Sequence, residues 1–300
     1  MLPRPMAHQI RRLHLWARRA VEDWLGGAYH SVFKGAGIAF EEVREYQPGD
    51  DVRGIDWHVT ARMGTPFIKR YVEERELTVM LLVDVSPSMD FGTAAFTKRH
   101  VAIEMAALLA LCALYNNDKV GLLAFSEGVD KLIPTRKGPK HALRLLREIL
   151  VRDGDGLAAV RGGRETNLAL ALDTLNRVVH RRAIVLVLSD FLGDDFVKPL
   201  ERAAVRHDLI AVLPRDPWEL ALPNVGLIEV RDPESGEPLL LDTADPTFRA
   251  AYAQRMDDRR TQLRSMTRGG RIDWIDVGTG GGHLDALHRF FESRQRRMGR

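Results

Sequence analysis

The chain is 300 residues long and carries 44 Lys and Arg against 41 Asp and Glu, a net charge of +3. That length suits one large domain or two modest ones, and such a chain buries roughly 75% of its unfolded surface. The near balance of charge gives no mandate for nucleic-acid binding, and a single cysteine, Cys112, excludes a disulfide framework or thiolate cluster within the chain.

The first stretch, Met1 to Arg19, has arginines and histidines but no apolar signal-peptide core. The apolar stretch Met105 to Leu114 is too short to span a bilayer. A soluble, cytoplasmic chain without a membrane span is expected. Ile10 to Leu25 has helical spacing, with Leu13, Trp16, Ala17, Ala20 and Trp24 available for one face. Gly35 to Tyr71 carries turn signals at Gly35, Gly37, Pro48-Gly49-Asp50, Gly54 and Gly64, and is expected to form loops and short strands. Within it, Asp50, Asp51, Asp56 and Glu73 alternate with Arg44, Arg53, Arg62, Lys69 and Arg70. Trp57 beside Asp56 suggests a packed ion-pair layer under an aromatic ring, in an accessory segment (1–75) docked beside the main domain. A partner surface is the alternative.

From residue 76 strands and helices alternate. Strands are expected at Leu77–Val85, Lys119–Ser126, Val129–Ile133, Ala183–Ser189 and Asp208–Leu213. Helices are expected at Ala94–Tyr115, Lys140–Leu150, Asn167–His180 and Phe196–His207. The less regular part, 215–300, offers a hairpin (Leu227–Arg231 with Pro238–Asp242), a long helix (Pro246–Met266), a strand (Ile272–Val277) and a last helix (His283–Arg297). Near-continuous apolar strands between amphipathic helices predict an α/β fold, a doubly wound and mostly parallel sheet over 76–300.

The chemistry concentrates where the first of these strands ends. Asp84-Val85-Ser86-Pro87-Ser88 puts a carboxylate and two hydroxyls two residues apart. In extended backbone such positions point the same way. Ligands in open α/β folds gather outside the carboxyl ends of the strands. Asp190 follows another strand directly, and Thr166 lies in a loop just before a helix. Asp84, Ser86, Ser88, Thr166 and Asp190 therefore form a candidate oxygen-ligand set for Mg²⁺ or Mn²⁺, hard cations that favour oxygen and keep some of their waters. A Ser- and Pro-containing turn after a buried strand is the plainer reading of the pentad alone.

Asp-x-Ser-x-Ser with a distant Thr and Asp resembles the metal-ion-dependent adhesion site of von Willebrand factor type A domains. That resemblance implies a vWA-like or Rossmann-like α/β domain. Its serines and threonine would contact Mg²⁺, its aspartates would act directly or through water, and a partner's carboxylate would often complete the shell. Phe40 to Trp57 resembles the signature of the bacterial DUF58 family, and Thr60-Ala61-Arg62 and Glu73-Glu74-Arg75-Glu76 match it as well. So do Asp216-Pro217-Trp218-Glu219-Leu220, Asp232-Pro233-Glu234-Ser235-Gly236 and Arg289-Phe290-Phe291. This second resemblance implies work with a MoxR-type AAA+ ATPase in maturing or remodelling other proteins.

The rival is a magnesium-dependent hydrolase or phosphatase with Asp84 as nucleophile. Such chemistry commonly wants a second carboxylate two residues on as general acid, and Ser86 stands there. There is no Gly-x-Ser-x-Gly elbow and no Walker A. A non-enzymatic, metal-dependent protein-binding module is the expectation. Gly278-Thr279-Gly280-Gly281-Gly282 reads as a permissive strand-to-helix connection rather than a phosphate cradle, Cys112 as a buried inert thiol, and the terminal arginines, Arg294 among them, as solvated helix faces.

Overall fold

A computed structural model describes residues 15–22, 26–33, 42–52, 55–70, 76–154, 166–193, 195–232, 236–267 and 272–298. After a helical stretch over 15–22 come α1 (Gly26–Phe33), β1 (Glu42–Glu45), α2 (Trp57–Met63), β2 (Phe67–Arg70) and β3 (Thr78–Asp84). A 3₁₀ turn (Pro87–Asp90) leads to α3 (Lys98–Tyr115), β4 (Lys119–Phe125), β5 (Val129–Arg136), α4 (Pro139–Gly154) and α5 (Leu168–Val178). Then follow β6 (Ile184–Leu188), α6 (Val197–Arg206), β7 (Asp208–Arg215), α7 (Pro217–Leu220), β8 (Leu227–Arg231) and β9 (Pro238–Asp242). The chain closes with α8 (Pro246–Thr267), β10 (Ile272–Gly278) and α9 (His283–Met298).

Six strands form the main sheet in the order β5-β4-β3-β6-β7-β10. All neighbours are parallel except β4 and β5. Counted in chain order these strands run 3-2-1-4-5-6, the doubly wound order, whose direction of winding reverses between β3 and β6. The expected α/β architecture is what the chain adopts. Alternate side chains of each strand serve opposite layers. Val79, Leu81 and Val83 of β3 join Leu186, Ile210 and Ile275 under α3, α4 and α9. Met80 and Leu82 join Val185, Val187 and Ala211 under α5, α6 and α8. With both faces covered, β6 is apolar and buried at all five positions.

The stretch over 15–22 and α1 add to the first of these layers through Ala17, Ala20, Val21, Tyr29 and Val32. Tyr29 and Phe33 meet Phe291 of α9 edge-on, with centroids 6.4 and 5.9 Å apart. The Tyr29 hydroxyl donates to Asp118 at 3.1 Å. Leu13 and Trp24, expected on the same helical face, lie outside the described residues.

Four local expectations are corrected. Residues 57–63 form a helix rather than a loop, because Asp56 caps it by accepting from His58 and Val59 N–H groups and Gly64 ends it in the left-handed region at φ 75°. Trp57 is 69% exposed rather than packed as expected; Arg53 and Glu73 of the expected ion-pair layer lie outside the described residues. The strand after β4 runs on to Arg136, because its antiparallel pairing with β4 continues through bulges. Arg294 is not a solvated face. Its side chain is 12% exposed and bridges Asp208 and Asp273, because α9 lays it across the start of both β7 and β10. The hairpin β8–β9 has the expected bounds and pairs Leu227 with Asp242. Cys112 is buried, and burial pushes its thiol well up, as expected of an inert thiol.

Candidate cation site at the switch point

β3 and β6 are neighbours, and their carboxyl ends carry Asp84 and the pair Ser189-Asp190. Between these strands the sheet changes winding direction, so the connections from their ends diverge and leave a crevice. Asp84 is fully buried, and Ser86, Ser88 and Asp190 are nearly so. Ser86 and Ser88 do come together, with their hydroxyl oxygens 3.0 Å apart. They meet by a turn rather than by the extended alternation the spacing suggested. Pro87 opens a 3₁₀ turn with Ser86 as its N-cap, because proline fixes the φ that such a turn needs. The Ser86 N–H then donates to Asp84 Oδ1 at 2.9 Å. Asp84 Oδ2 accepts from Ser189 Oγ at 2.6 Å, which ties the ends of β3 and β6 together.

Thr166 enters from the side of β4. The next residue, Asn167, donates its N–H to the Ser126 carbonyl at 2.7 Å and caps α5 through its side chain. The Thr166 carbonyl lies 3.8 Å from where a Cβ on Gly193 would stand, so Thr166 borders the loop that follows Asp190. That loop is bent sharply. Phe191 sits at φ +54°, a conformation that costs a non-glycine residue about 1–3 kcal/mol and that tends to mark sites where the surroundings over-determine the backbone. The surroundings do so here. The Phe191 N–H donates to Ser189 Oγ at 3.0 Å, Arg259 donates to its carbonyl at 2.6 Å, and its ring packs against Phe196 and Trp274. Beside this bend Asp190 meets Lys98 at the start of α3.

Several residues of this corner were not legible in the motif. Ser189 bonds Asp84 through its hydroxyl, beside the bond from the Ser86 N–H. Lys98, the first residue of α3, is fully buried and donates to Asp190 Oδ2 at 2.7 Å and to Glu219 Oε1 at 2.5 Å. Burial alone would lower its pKa, but the two carboxylates outweigh that and raise it. Arg99 grips Asp90 through two nitrogens and donates to the Ser86 carbonyl at 3.1 Å, so it pins the turn that presents the serines. Gly92 lets this loop lie on the start of α3, since a Cβ there would stand 2.4 Å from the Phe96 carbonyl oxygen. Asp216 accepts from Thr93, Trp218 and Thr279 and forms a capping box with Glu219, linking the corner to the glycine-rich turn after β10. A Lys-Arg pair at a helix start carries no periodic signal, which is why apolar spacing did not find it.

The electrostatics are unbalanced. Lys98 is bonded to Asp190 and Glu219 and Arg99 to Asp90, whereas Asp84 and Asp216 accept only from hydroxyl and backbone N–H donors among the described residues. Burial, and then the charge of Asp190, push the Asp84 carboxyl from 3.8 up to about 7, against the pull of hydrogen bonds from Ser189 and Ser86. Burial also pushes Glu219 up, while Lys98 opposes it. The donors facing this crevice are carboxylate and hydroxyl oxygens, which suits a hard divalent cation rather than a soft one. Among the described residues no cluster of three or more His, Cys, Asp or Glu side chains could hold a metal ion. Any ion here depends on the serine and threonine hydroxyls.

Residues 42–262 match a protein family model described as "Protein of unknown function DUF58". The uncharacterized protein Rv1480 of Mycobacterium tuberculosis is 36% identical over 292 residues, covering 97% of this chain and 90% of that protein. The uncharacterized protein YeaD of Bacillus subtilis is 24% identical over 174 residues, 58% of this chain and 40% of that one. Among solved structures, the conserved hypothetical protein BatB from Bacteroides thetaiotaomicron aligns over 73% of this chain and 99% of its own, at 16% identity and a TM-score of 0.46. The SpRpn10 VWA domain aligns over 71% of this chain and 94% of its own, at 11% identity and a TM-score of 0.37. No helix among the described residues is long and apolar enough to cross a membrane.

Proposed function

The chain belongs to the DUF58 family, and from that premise we propose that it is a non-enzymatic protein-binding module whose switch-point corner works through a divalent cation, Mg²⁺ or Mn²⁺. Asp84, Ser86, Ser88 and Thr166 would hold the ion, with Asp190 acting from further out. Bound there, the ion would supply a positive charge with open positions, a point of capture for an aspartate or glutamate of a partner. The observation that carries the reading is Asp84 itself. It is fully buried, bonded only by neutral donors among the described residues, and flanked by two hydroxyls that face each other at 3.0 Å. A buried carboxylate without a cation is costly, and a divalent ion removes that cost.

The same burial disfavours Asp84 as a nucleophile. Both its oxygens already accept hydrogen bonds, and Ser86 stands where a general acid would be wanted. The partner expected from the family resemblance is a MoxR-type AAA+ ATPase, with the pair acting in protein maturation or remodelling. The test is a pull-down with such an ATPase, purified, in Mg²⁺. Capture should be lost in EDTA and reduced at least tenfold by Asp84→Ala or Ser86→Ala. Capture that survives both the chelator and these substitutions would sink the reading. Turnover of a generic phosphoester that disappears in Asp84→Ala would replace it with a hydrolase.

A further inference from the structure

Lys98 stands in an unfavourable place for a cation. It opens α3 just after the N-cap Thr97, where the helix dipole is positive, and its side chain is 1% exposed. Two carboxylates hold it there, Asp190 at 2.7 Å and Glu219 at 2.5 Å, with the Phe91 ring centroid 6.0 Å away. This grip decides how each carboxylate at the corner is used. Asp190 spends Oδ2 on Lys98 and Oδ1 on the Leu192 N–H. Asp84 has only the Ser86 N–H and the Ser189 hydroxyl, and among the described residues no ion pair reaches it.

We propose that Lys98 is an internal counter-cation that sets the cation affinity of this corner: it retains Asp190 and Glu219 for itself, leaves Asp84 as the one carboxylate of the chain that ligates an incoming ion directly, and lowers the affinity for a divalent ion by its own charge. The inference rests on the cation-site reading above. Its physical basis is simple. A fixed ammonium near a dication is repulsive, and inside a protein that repulsion is only partly screened. A site with two directly ligating carboxylates would bind Mg²⁺ tightly without help. A site with one, and a lysine close by, has reason to wait for a partner's carboxylate to complete it.

The test is calorimetric titration of the full chain with MgCl₂, paired with melting temperatures in EDTA and in Mg²⁺. Lys98→Met should tighten Mg²⁺ binding about tenfold or more, lower the melting temperature in EDTA and enlarge the rise that Mg²⁺ restores. Lys98→Arg, which keeps the charge, should stay within about threefold of the parent. If Lys98→Met does not fold, the double variant Lys98→Met/Glu219→Gln removes one stranded carboxylate and should still bind Mg²⁺ more tightly than Glu219→Gln alone. Equal or weaker Mg²⁺ affinity once the lysine is gone overturns the proposal while leaving the cation site standing. No measurable Mg²⁺ binding in the parent or in any of these variants overturns the site itself, and the role of Lys98 with it.

Discussion

Two groups of carboxylates on one sheet are treated in opposite ways. Along the outer strands β7 and β10, each acid meets arginine. Arg294 bridges Asp208 and Asp273, Arg297 adds a second bond to Asp273 at 2.7 Å, and Arg215 and Arg264 hold Asp276 at 2.8 and 2.6 Å. Burial would raise Asp276, but a hydrogen bond from Trp274 and the flanking arginines bring it below its ordinary value. At the switch point the balance is reversed, and Asp84 is pushed up to about 7. The outer edge neutralises itself with side chains of the same chain. The central corner pairs Asp190, Glu219 and Asp90 but leaves Asp84 to neutral donors among the described residues, and that is where the proposed cation would act.

The contrast breaks first at Arg294. Removing it as Arg294→Ala leaves Asp208 and Asp273 facing each other's strands with one fewer cation, and also strips a cation from the face of the Phe33 ring, 5.0 Å away. A loss of about 3 kcal/mol is expected, as for a partly buried pair deprived of one partner. Urea denaturation measures it. The rise in stability with added Mg²⁺ should be unchanged, since the arginine serves the other end of the sheet. A Mg²⁺ response that vanished with Arg294 would mean the two groups are not independent.

The opposite sign is expected at the centre. Asp84→Asn keeps the size of the side chain, accepts from the Ser86 N–H as before, and lets Ser189 Oγ turn from donor to acceptor. It removes a buried charge that lacks a cation. In EDTA at pH 8 the variant should gain about 2 kcal/mol, several degrees in melting temperature for a domain of this size. It should also lose its response to Mg²⁺. A variant that loses stability in EDTA would show that the Asp84 charge is already satisfied within the chain.

The sequence made the sheet legible because its strands are apolar on both faces. Leu77–Val85 and Ala183–Ser189 need no partner information to be read as buried strands, and each is observed within two residues. Asp84, Ser86 and Ser88 were legible because the motif is local, although the 3₁₀ turn at Pro87 does the converging. What was not legible depends on distance in the chain. Ser189 bonds Asp84 across 105 residues, and Glu219 meets Lys98 across 121. A lysine at a helix start reads as solvated until the fold closes two acids over it. Trp57 erred in the other direction, since an aromatic beside a charged run suggested packing and the ring stands in solvent. Nothing in a single sequence distinguishes an arginine that faces water from Arg294, whose partners come from two different strands.

The smallest effect is also the one that isolates the central acid most cleanly. The folded-state pKa of Asp84 lies near 7, above its ordinary value of 3.8. Between about pH 4 and pH 7 the folded chain therefore keeps a proton that the unfolded chain has released. The stability tied to that proton is present at low pH, falls as pH rises through 7, and levels off above it. From pH 6 to pH 8 the fall amounts to about 1 kcal/mol. Other groups titrate over the same range, so the quantity to measure is the difference between the parent and Asp84→Asn in EDTA. That difference should widen from pH 6 to pH 8 and narrow again when Mg²⁺ is added, because a bound cation makes the ionised carboxylate the favoured form. A difference that stays flat with pH would place Asp84 in its ordinary range and remove the contrast with the arginine-held acids of β7 and β10.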